Sequence, residues 1–286
     1  MKNLNPPQLD SLNVYKRVKK NARDADKKLR LENIEHLVLS RYEIYESNAT
    51  TLEVMTDSNI IDENDIKALG SCYNRNKDGY LEGEVVAEII ALQSSQHKNS
   101  CPYCGMDKPR TIDHYLPKSI YPEFSIYPPN LIPCCGHCNG KKSFKWLNNG
   151  KRLFLNFYYD DIPNEKFLNV ELIFDSNPLI QEPRVVFELK NNSGIGPEQF
   201  SLITSHYKEL GLLNELSEYV EEELSNLHDE ILHNTHLPRE EHIESLRRKK
   251  DSFVRKYGQN YWKSSLYEAI IESDEFFERI YKLRVS

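Results

Sequence analysis

The sequence predicts an α+β protein in which a small cysteine-bracketed core and a short strand-rich segment are embedded in helices from both ends. Apolar residues recur at helical spacing towards both termini, two Cys-x-x-Cys pairs flank residues 105–134, and short apolar runs fill residues 151–190. With 286 residues, of which 39% are hydrophobic and 28% charged, the chain can bury a core without disulfides. Disordered and collagen-like classes are excluded. We predict four regions: helical 1–96, the cysteine core 97–150, strand-rich 151–197 and helical 198–286.

Helices are predicted on both flanks from the period of their apolar residues. The first helical face contains Ile34, Leu37, Val38, Tyr42 and Tyr45, and the second contains Ile203, Tyr207, Leu210, Leu213 and Leu216. Residues 82–93 are predicted as a further helix, and Leu237-Pro238 as a helix junction. Residues 74–79 begin like a calcium-binding loop, but Val85 stands where a bidentate Glu is required, so we expect a plain turn.

Three runs in the middle of the chain are predicted as strands. They span residues 153–159, 170–174 and 185–189, and they are rich in aromatic and branched apolar residues. Asp, Asn and Pro separate them, as is typical of residues that end strands. We therefore expect a strand-rich segment between the cysteine core and the C-terminal helices.

The charge distribution is uneven. The net charge of −7 argues against a general nucleic-acid coat protein, because phosphate repels an acidic surface. Residues 98–152, however, carry nine Lys or Arg against three acids, so this segment is +6 and the remainder is −13. Two further basic clusters, at residues 16–30 and 247–250, are interpreted as solvated helix faces, with phosphate contact as the alternative. The middle cluster differs because it coincides with the cysteines.

Cysteine usage and the lack of long apolar runs bear on location. No run is long enough to span a membrane, and the first residues lack the apolar stretch of a signal peptide, so we expect a cytoplasmic protein without a membrane partner. Five of the six cysteines lie within residues 101–138, which in a reducing compartment favours metal binding over disulfides. Cys72 is isolated, and we expect it to be a small buried residue.

The two Cys-x-x-Cys pairs predict one structural zinc ion. Two thiolates separated by two residues converge on a single metal, and four such ligands select zinc and leave no open coordination position. The predicted ligands are Cys101, Cys104, Cys135 and Cys138. Cys134 is an alternative ligand to Cys135, since it forms a Cys-x-x-x-Cys pair with Cys138, and a ring nitrogen of His137 is another alternative ligand. Cys135 is preferred because it repeats the spacing of the first pair.

The segment between the pairs contains Asp113-His114 three residues before Pro117, then Asn130, and Asn139 follows the last cysteine directly. This order resembles the zinc-clamped branch of the HNH, or His-Me finger, endonucleases over about residues 98–145. The resemblance implies a zinc-stapled ββα-metal core, in which a β-hairpin and a helix hold one catalytic divalent ion.

The resemblance also implies roles in phosphodiester hydrolysis. His114 is expected to be the general base, since an imidazole titrates near neutrality. Asp113 and Asn139 are expected to ligate Mg²⁺ or Mn²⁺ through hard oxygen atoms, and Asn130 to tie the loop to the hairpin and hold His114. Neighbouring side chains of an extended strand point to opposite faces, so Asp113 and His114 can share a site only if the strand is irregular there.

Four lysines of the basic core are predicted to contact nucleic acid: Lys118, Lys141, Lys142 and Lys145. Lys142 lies one helical turn after Asn139, where it would neutralise a phosphate, and a solvated lysine is the alternative. The aromatic loop at residues 121–127 is expected to pack in the core, with base stacking as the alternative.

These features predict a metal-dependent endonuclease that cuts DNA with little sequence discrimination, because the motif contacts the backbone and no base-reading module is recognisable. The alternatives are a catalytically silent zinc module that binds nucleic acid or protein, and an RNase or toxin. Since the acidic remainder weakens unaided DNA binding, we expect a partner that delivers the substrate. The arrangement is similar to HNH subunits of antiphage systems, notably the Septu type with its ATPase partner, and implies a role in prokaryotic antiphage defence or restriction.

Overall fold

Helices and short antiparallel sheets share the chain, which confirms the α+β prediction. The computed structural model of the protein describes residues 2–74, 79–177, 182–192 and 194–283. The chain divides into two units. Asn3–Asp161 is called here the N-terminal unit, and Ile162–Ser286 with Met1–Lys2 the C-terminal unit. The division into four regions stays a prediction, and the turn predicted at residues 74–79 lies mostly outside the described residues.

The N-terminal unit contains six α-helices and two small hairpins among its described residues. The helices are α1 (Ser11–Lys20), α2 (Ala25–Asn33), α3 (Glu35–Ser47), α4 (Glu63–Gly70), α5 (Ala87–Ala91) and α6 (Gly136–Lys142), and a π-helical segment, Leu81–Val86, leads into α5. The strands are β1 (Thr111–His114), β2 (Leu131–Cys134), β3 (Leu147–Asn148) and β4 (Lys151–Arg152). Asp10, Asp24 and Asp62 cap α1, α2 and α4 by accepting backbone N–H groups of the first turn. The π-helical segment and α5 together confirm the helix predicted at residues 82–93 as far as Ala91.

The core of the N-terminal unit joins α3 to the aromatic loop that precedes β2. The ring centroids of Tyr42 and Tyr127 lie 4.1 Å apart in a stacked arrangement, and Tyr45 packs edge-on against Phe124 at 5.1 Å. The rings of Tyr45, Phe124 and Tyr127 are completely buried. The prediction that this loop packs in the core is therefore confirmed.

Residues 153–159 were predicted as a strand, and this prediction is wrong. Asn156 nucleates a turn instead, because its Oδ1 accepts the N–H of Tyr158 (3.0 Å) and its N–H is donated to Oδ2 of Asp160 (2.7 Å). Phe154 and Phe157 are fully buried on either side of this turn. The apolar run thus reflects burial in the core and carries no information about strand structure.

The described part of the C-terminal unit contains a two-stranded antiparallel sheet and six helices. Strands β5 (Leu168–Ile173) and β6 (Arg184–Leu189) pair with Leu168 opposite Leu189, which confirms both predicted strands. The helices are α7 (Pro197–Leu210), α8 (Leu212–Tyr219), α9 (Glu221–His233), α10 (Arg239–Tyr257), α11 (Trp262–Glu272) and α12 (Asp274–Leu283). Gly211, at φ 67°, divides the predicted apolar face between α7 and α8, and α10 begins directly after Pro238 as expected. None of the described helices combines the length and apolar character needed to cross a bilayer.

Candidate metal centre and active site

Four cysteine sulfurs converge at the base of the β1–β2 hairpin. The Sγ atoms of Cys101, Cys104, Cys135 and Cys138 all lie within 4.8 Å of one another, and all four residues are buried. Cys104 Sγ and Cys135 Sγ are 3.9 Å apart, close to the ~3.8 Å that a tetrahedral zinc ion imposes on its sulfur ligands. The four cysteines fit a zinc ion, which would hold the two pairs together.

Backbone N–H groups and crowding prepare these sulfurs for a cation. The N–H of Cys135 is donated to Cys101 Sγ (3.3 Å) and the N–H of Cys138 to Cys135 Sγ (3.4 Å). Hydrogen bonds from the other three thiols hold the pKa of Cys135 well below its ordinary value, while burial raises the pKa of Cys101. Four close sulfurs cannot all be ionised without a compensating charge, and a divalent ion would supply it.

The two alternative ligands lie elsewhere. Cys134 is buried with its Sγ 3.5 Å from Thr111 Oγ1, outside the cluster of four sulfurs. His137 is exposed on the first turn of α6. The preference for Cys135 over Cys134 agrees with this geometry, and Cys72 is buried as expected.

The cysteine cluster lies at one end of a ββα unit formed by β1, β2 and α6. The strands pair antiparallel, with Asp113 opposite Ile132 and His114 opposite Leu131. Asn139 on α6 donates its side-chain amide to Thr111 Oγ1 and to the carbonyl of Ile112, both at 3.1 Å. The helix is therefore tied to the first strand beside the zinc cluster.

His114 ends β1 and is held through one ring nitrogen. Nε2 lies 2.9 Å from the carbonyl oxygen of Ser125, which can only accept, so Nε2 carries the proton. The described residues give Nδ1 no hydrogen-bond partner. Burial lowers the pKa of His114 to about 4. A neutral imidazole with its acceptor nitrogen available is the form that a general base requires.

Asn130 fixes the loop that follows His114. Its Oδ1 accepts the N–H of Leu116 (2.7 Å), and its Nδ2 donates to the carbonyl groups of Leu116 (2.9 Å) and Phe124 (3.3 Å). The side chain is completely buried. Asn130 thus joins the segment after His114 to the segment that contains the histidine's acceptor, Ser125.

Asp113 occupies a different environment from the one expected of a metal ligand. Its carboxylate, 2% exposed, forms an ion pair with Lys142 Nζ at 3.0 Å and accepts the hydroxyl of Tyr103 at 2.7 Å. Lys142 also donates to the carbonyl groups of His114 and Tyr115. The expected irregularity at Asp113 is not found either, since the strand register continues through His114.

This arrangement does not fit a magnesium or manganese ion at Asp113 and Asn139. The carboxylate is buried and already neutralised by an ammonium group, and the Asn139 amide is bound to β1. Among the described residues, the four cysteines form the one group of three or more His, Cys, Asp or Glu side chains close enough to hold a metal ion. No chemical step is therefore assigned to an ion at Asp113.

The four predicted nucleic-acid lysines are not equivalent. Lys142 is fully buried, because it lies on the face of α6 that packs against β1, so it is not positioned to meet a phosphate from solvent. Lys118 and Lys145 are exposed, and Lys141 is half-buried. Lys118 Nζ lies 4.9 Å from the ring centroid of Tyr73, whose ring in turn meets the imidazole of His114.

Three residues that shape the site were not predicted from the sequence: Tyr73, Tyr103 and Ser125. Tyr103 carried a usable signal, since it lies inside the first Cys-x-x-Cys pair and must fold close to the zinc cluster. Tyr73 and Ser125 carried none, because their relation to His114 depends on tertiary contacts.

Part of this chain is similar in sequence to two known proteins. No protein-family profile and no solved structure matches it. The chain is 51% identical to Protein ea31 of Escherichia phage lambda over 49 residues, which is 17% of this chain and 16% of that protein. It is 35% identical to Septu protein PtuB of Bacillus thuringiensis over 65 residues, 21% of this chain and 24% of that protein. The matches span less than a quarter of either relative. The four-cysteine cluster fits a zinc-binding module, and the chain is distantly similar to a Septu protein.

Proposed function

We propose that this protein is an HNH-type endonuclease that hydrolyses phosphodiester bonds of DNA. The order of cysteine pairs, Asp113-His114, Asn130 and Asn139 supports the assignment. The similarity to Septu protein PtuB over 21% of the chain also supports it. The observation that carries the proposal is the state of His114, whose Nε2 is committed to Ser125 while Nδ1 keeps its lone pair.

The proposed reaction begins with proton transfer to His114. A water molecule bound at Nδ1 gives its proton to that nitrogen as its oxygen forms a bond to phosphorus. The bond from phosphorus to one ester oxygen breaks, and the departing sugar oxygen takes up a proton from solvent. The hydrogen bond from Nε2 to Ser125 fixes the ring orientation, and the backbone carbonyl favours the imidazolium that forms. Asn130 keeps both ends of this contact in place. The low pKa of His114 keeps the resting imidazole neutral at neutral pH.

Lys118, an exposed cation beside the Tyr73 ring that contacts His114, would meet the DNA backbone. It lies in the segment of net charge +6, whereas Lys142 is buried in an ion pair with Asp113. Dependence on Mg²⁺ or Mn²⁺ remains a prediction from the resemblance. An ion at Asp113 would have to replace the Lys142 ammonium group.

We further propose a role in antiphage defence with a partner protein, for which an ATPase subunit is the candidate. The distant similarity to a Septu protein supports this role. The net charge of −13 outside residues 98–152 also supports it, because an acidic surface weakens unaided binding to DNA. A partner would bring DNA to the basic core.

Cleavage of supercoiled plasmid tests the nuclease assignment. Wild type, His114→Ala and the control His36→Ala, which alters an exposed histidine of α3, are compared with magnesium, manganese and chelator after their zinc content has been matched. We expect cutting by wild type and His36→Ala and none by His114→Ala. Equal cutting by His114→Ala would refute the role of His114, and a parallel RNA substrate separates DNase from RNase activity.

A silent zinc module is the second candidate, favoured by the buried Asp113–Lys142 pair. It predicts that no protein variant cuts DNA under any metal condition, with or without proteins that copurify from the native host. Cutting that appears only with those proteins would instead support a nuclease that needs its partner.

A further inference from the structure

We propose that Tyr73 is a positioning residue that holds the Lys118 ammonium group beside His114, so that the two bind one DNA phosphate together. This inference rests on the proposed function and names how the same site binds the scissile phosphate. It also gives the N-terminal helices a part in the active site, since Tyr73 follows α4.

One tyrosine ring contacts both candidate groups. The ring centroids of Tyr73 and His114 are 4.3 Å apart with an interplanar angle of 73°, an edge-to-face contact. Lys118 Nζ lies 4.9 Å from the centroid of the same ring, within the range of a cation–π interaction. The tyrosine therefore restricts a flexible lysine to the vicinity of the imidazole.

A second contact from the same helix supports this arrangement. Ser125, whose carbonyl oxygen accepts His114 Nε2, donates its hydroxyl to the carbonyl of Leu69 at 2.9 Å. Leu69 lies in the last turn of α4, and its carbonyl also accepts the N–H of Cys72. The last turn of α4 thus reaches His114 through Ser125, and the segment that follows α4 reaches it directly through Tyr73.

Lys118 is suited to bind an anion because none of the described carboxylates forms a salt bridge with it. Among the described residues it forms no salt bridge, and the Tyr73 ring is a weak neutral partner that leaves the ammonium donors to a phosphate. Lys142, by contrast, donates to Asp113 and two carbonyl groups. A phosphate oxygen bound by Lys118 would bring phosphorus towards water at His114 Nδ1.

The chain offers a matched control in a second tyrosine–cation pair. Arg17 lies over the ring of Tyr80 at 4.2 Å, and its guanidinium pairs with Glu84 at 2.7 Å. This pair therefore resembles the Tyr73–Lys118 pair in chemistry, but its cation is already neutralised. Tyr80→Leu reports the general cost of removing such a ring.

The test is a double-mutant cycle on the full-length, zinc-loaded protein. Plasmid cleavage is measured as kcat and KM for Tyr73→Leu, Lys118→Ala, the double variant, Tyr73→Phe and Tyr80→Leu. Each single change at the pair is expected to lower kcat/KM about tenfold, and the double variant by little more than that, because both remove one interaction. Tyr73→Phe, which keeps the ring, and Tyr80→Leu should stay within about twofold of wild type.

Binding gives a readout that does not depend on cleavage. Anisotropy of a fluorescein-labelled DNA duplex of about 20 base pairs is measured at low salt, where phosphate contacts contribute most. Tyr73→Leu and Lys118→Ala should each weaken DNA binding by the same factor, and the double variant should weaken it by little more than either single change. If wild type cuts DNA neither alone nor with proteins that copurify from the native host, the proposed function fails, and the binding cycle alone decides this inference.

Three outcomes would overturn the inference. The first is that the losses of Tyr73→Leu and Lys118→Ala multiply in the double variant, as they would for independent residues. The second is a loss of kcat/KM in Tyr73→Phe as large as in Tyr73→Leu. The third is a Tyr73→Leu variant that behaves as wild type in both assays. Circular dichroism and zinc content of each variant confirm that the fold is retained.

Discussion

The two faces of strand β1 have opposite roles, although Asp113 and His114 are neighbours in sequence. On one face, α6 covers Asp113 and neutralises its carboxylate with Lys142. On the other face, His114 is held at one ring nitrogen by Ser125 and packs against Tyr73. The first face binds the helix to the hairpin, and the second keeps a proton acceptor available. Strand alternation thus separates a stabilising ion pair from a candidate base.

Zinc removal is expected to have the largest effect on stability, because it would unfold the structure on both faces of β1 at once. Structural zinc binding contributes on the order of 10 kcal/mol in small zinc modules. We expect Cys135→Ser to lose zinc and to unfold the hairpin. Cys134→Ser, one residue away and outside the sulfur cluster, should keep the ion. Zinc content and thermal unfolding check both, and zinc retention by Cys135→Ser would contradict the ligand assignment.

Asp113→Ala should lower the free energy of unfolding by about 3–5 kcal/mol, because it leaves Lys142 buried and charged without a counter-ion. His114→Ala, on the other face, removes one hydrogen bond and should cost only about 1–2 kcal/mol. Urea denaturation at neutral pH measures both values.

The double variant Asp113→Asn/Lys142→Met sharpens the comparison, since it leaves no buried charge. It should be more stable than Asp113→Ala if the cost of the single change comes from the unpaired ammonium group. Equal losses for Asp113→Ala and His114→Ala would remove the distinction between the two faces.

Tyr103→Phe deletes the hydroxyl that Asp113 accepts at 2.7 Å. Because this hydrogen bond involves a buried carboxylate, we expect a loss of about 1.5–3 kcal/mol in unfolding free energy. Tyr158→Phe is the matched control, since its buried hydroxyl bonds the neutral carbonyl of Leu131 and should cost about 1 kcal/mol. A larger loss in the control would show that the carboxylate is not specially stabilised.

The pH response of the His114 face leaves stability at neutral pH unchanged and appears only in acid. The pKa of His114 falls from about 6.5 in the unfolded chain to about 4 in the folded protein because of burial. The unfolded chain then binds more protons, so stability is lost as pH falls from about 6.5 towards 4 and is unaffected above that window. NMR titration of the imidazole, assigned with His114→Gln, measures this value. A measured pKa near 6.5 would show that the His114 imidazole is exposed to solvent.

Local spacing made the four-cysteine cluster and the strands β5 and β6 predictable. Two cysteines separated by two residues meet one ion whatever surrounds them, and the runs at residues 170–174 and 185–189 lie between strand-ending residues. The same criteria wrongly predicted a strand at residues 153–159, because Asn156 forms a turn there and Phe154 and Phe157 are buried without strand structure. Composition marked these residues as buried but did not specify their backbone.

The sequence by itself determined the α+β class and the convergence of the four cysteines, because these depend on periodicity and on residues close in the chain, and the family resemblance singled out His114 as the candidate base. Only the tertiary structure decided what each charged side chain does. Lys142 is buried because α6 turns it towards Asp113, and His114 is oriented by Ser125 and Tyr73. Such partners come from distant segments, and which face of a helix or strand they meet depends on how the whole unit packs.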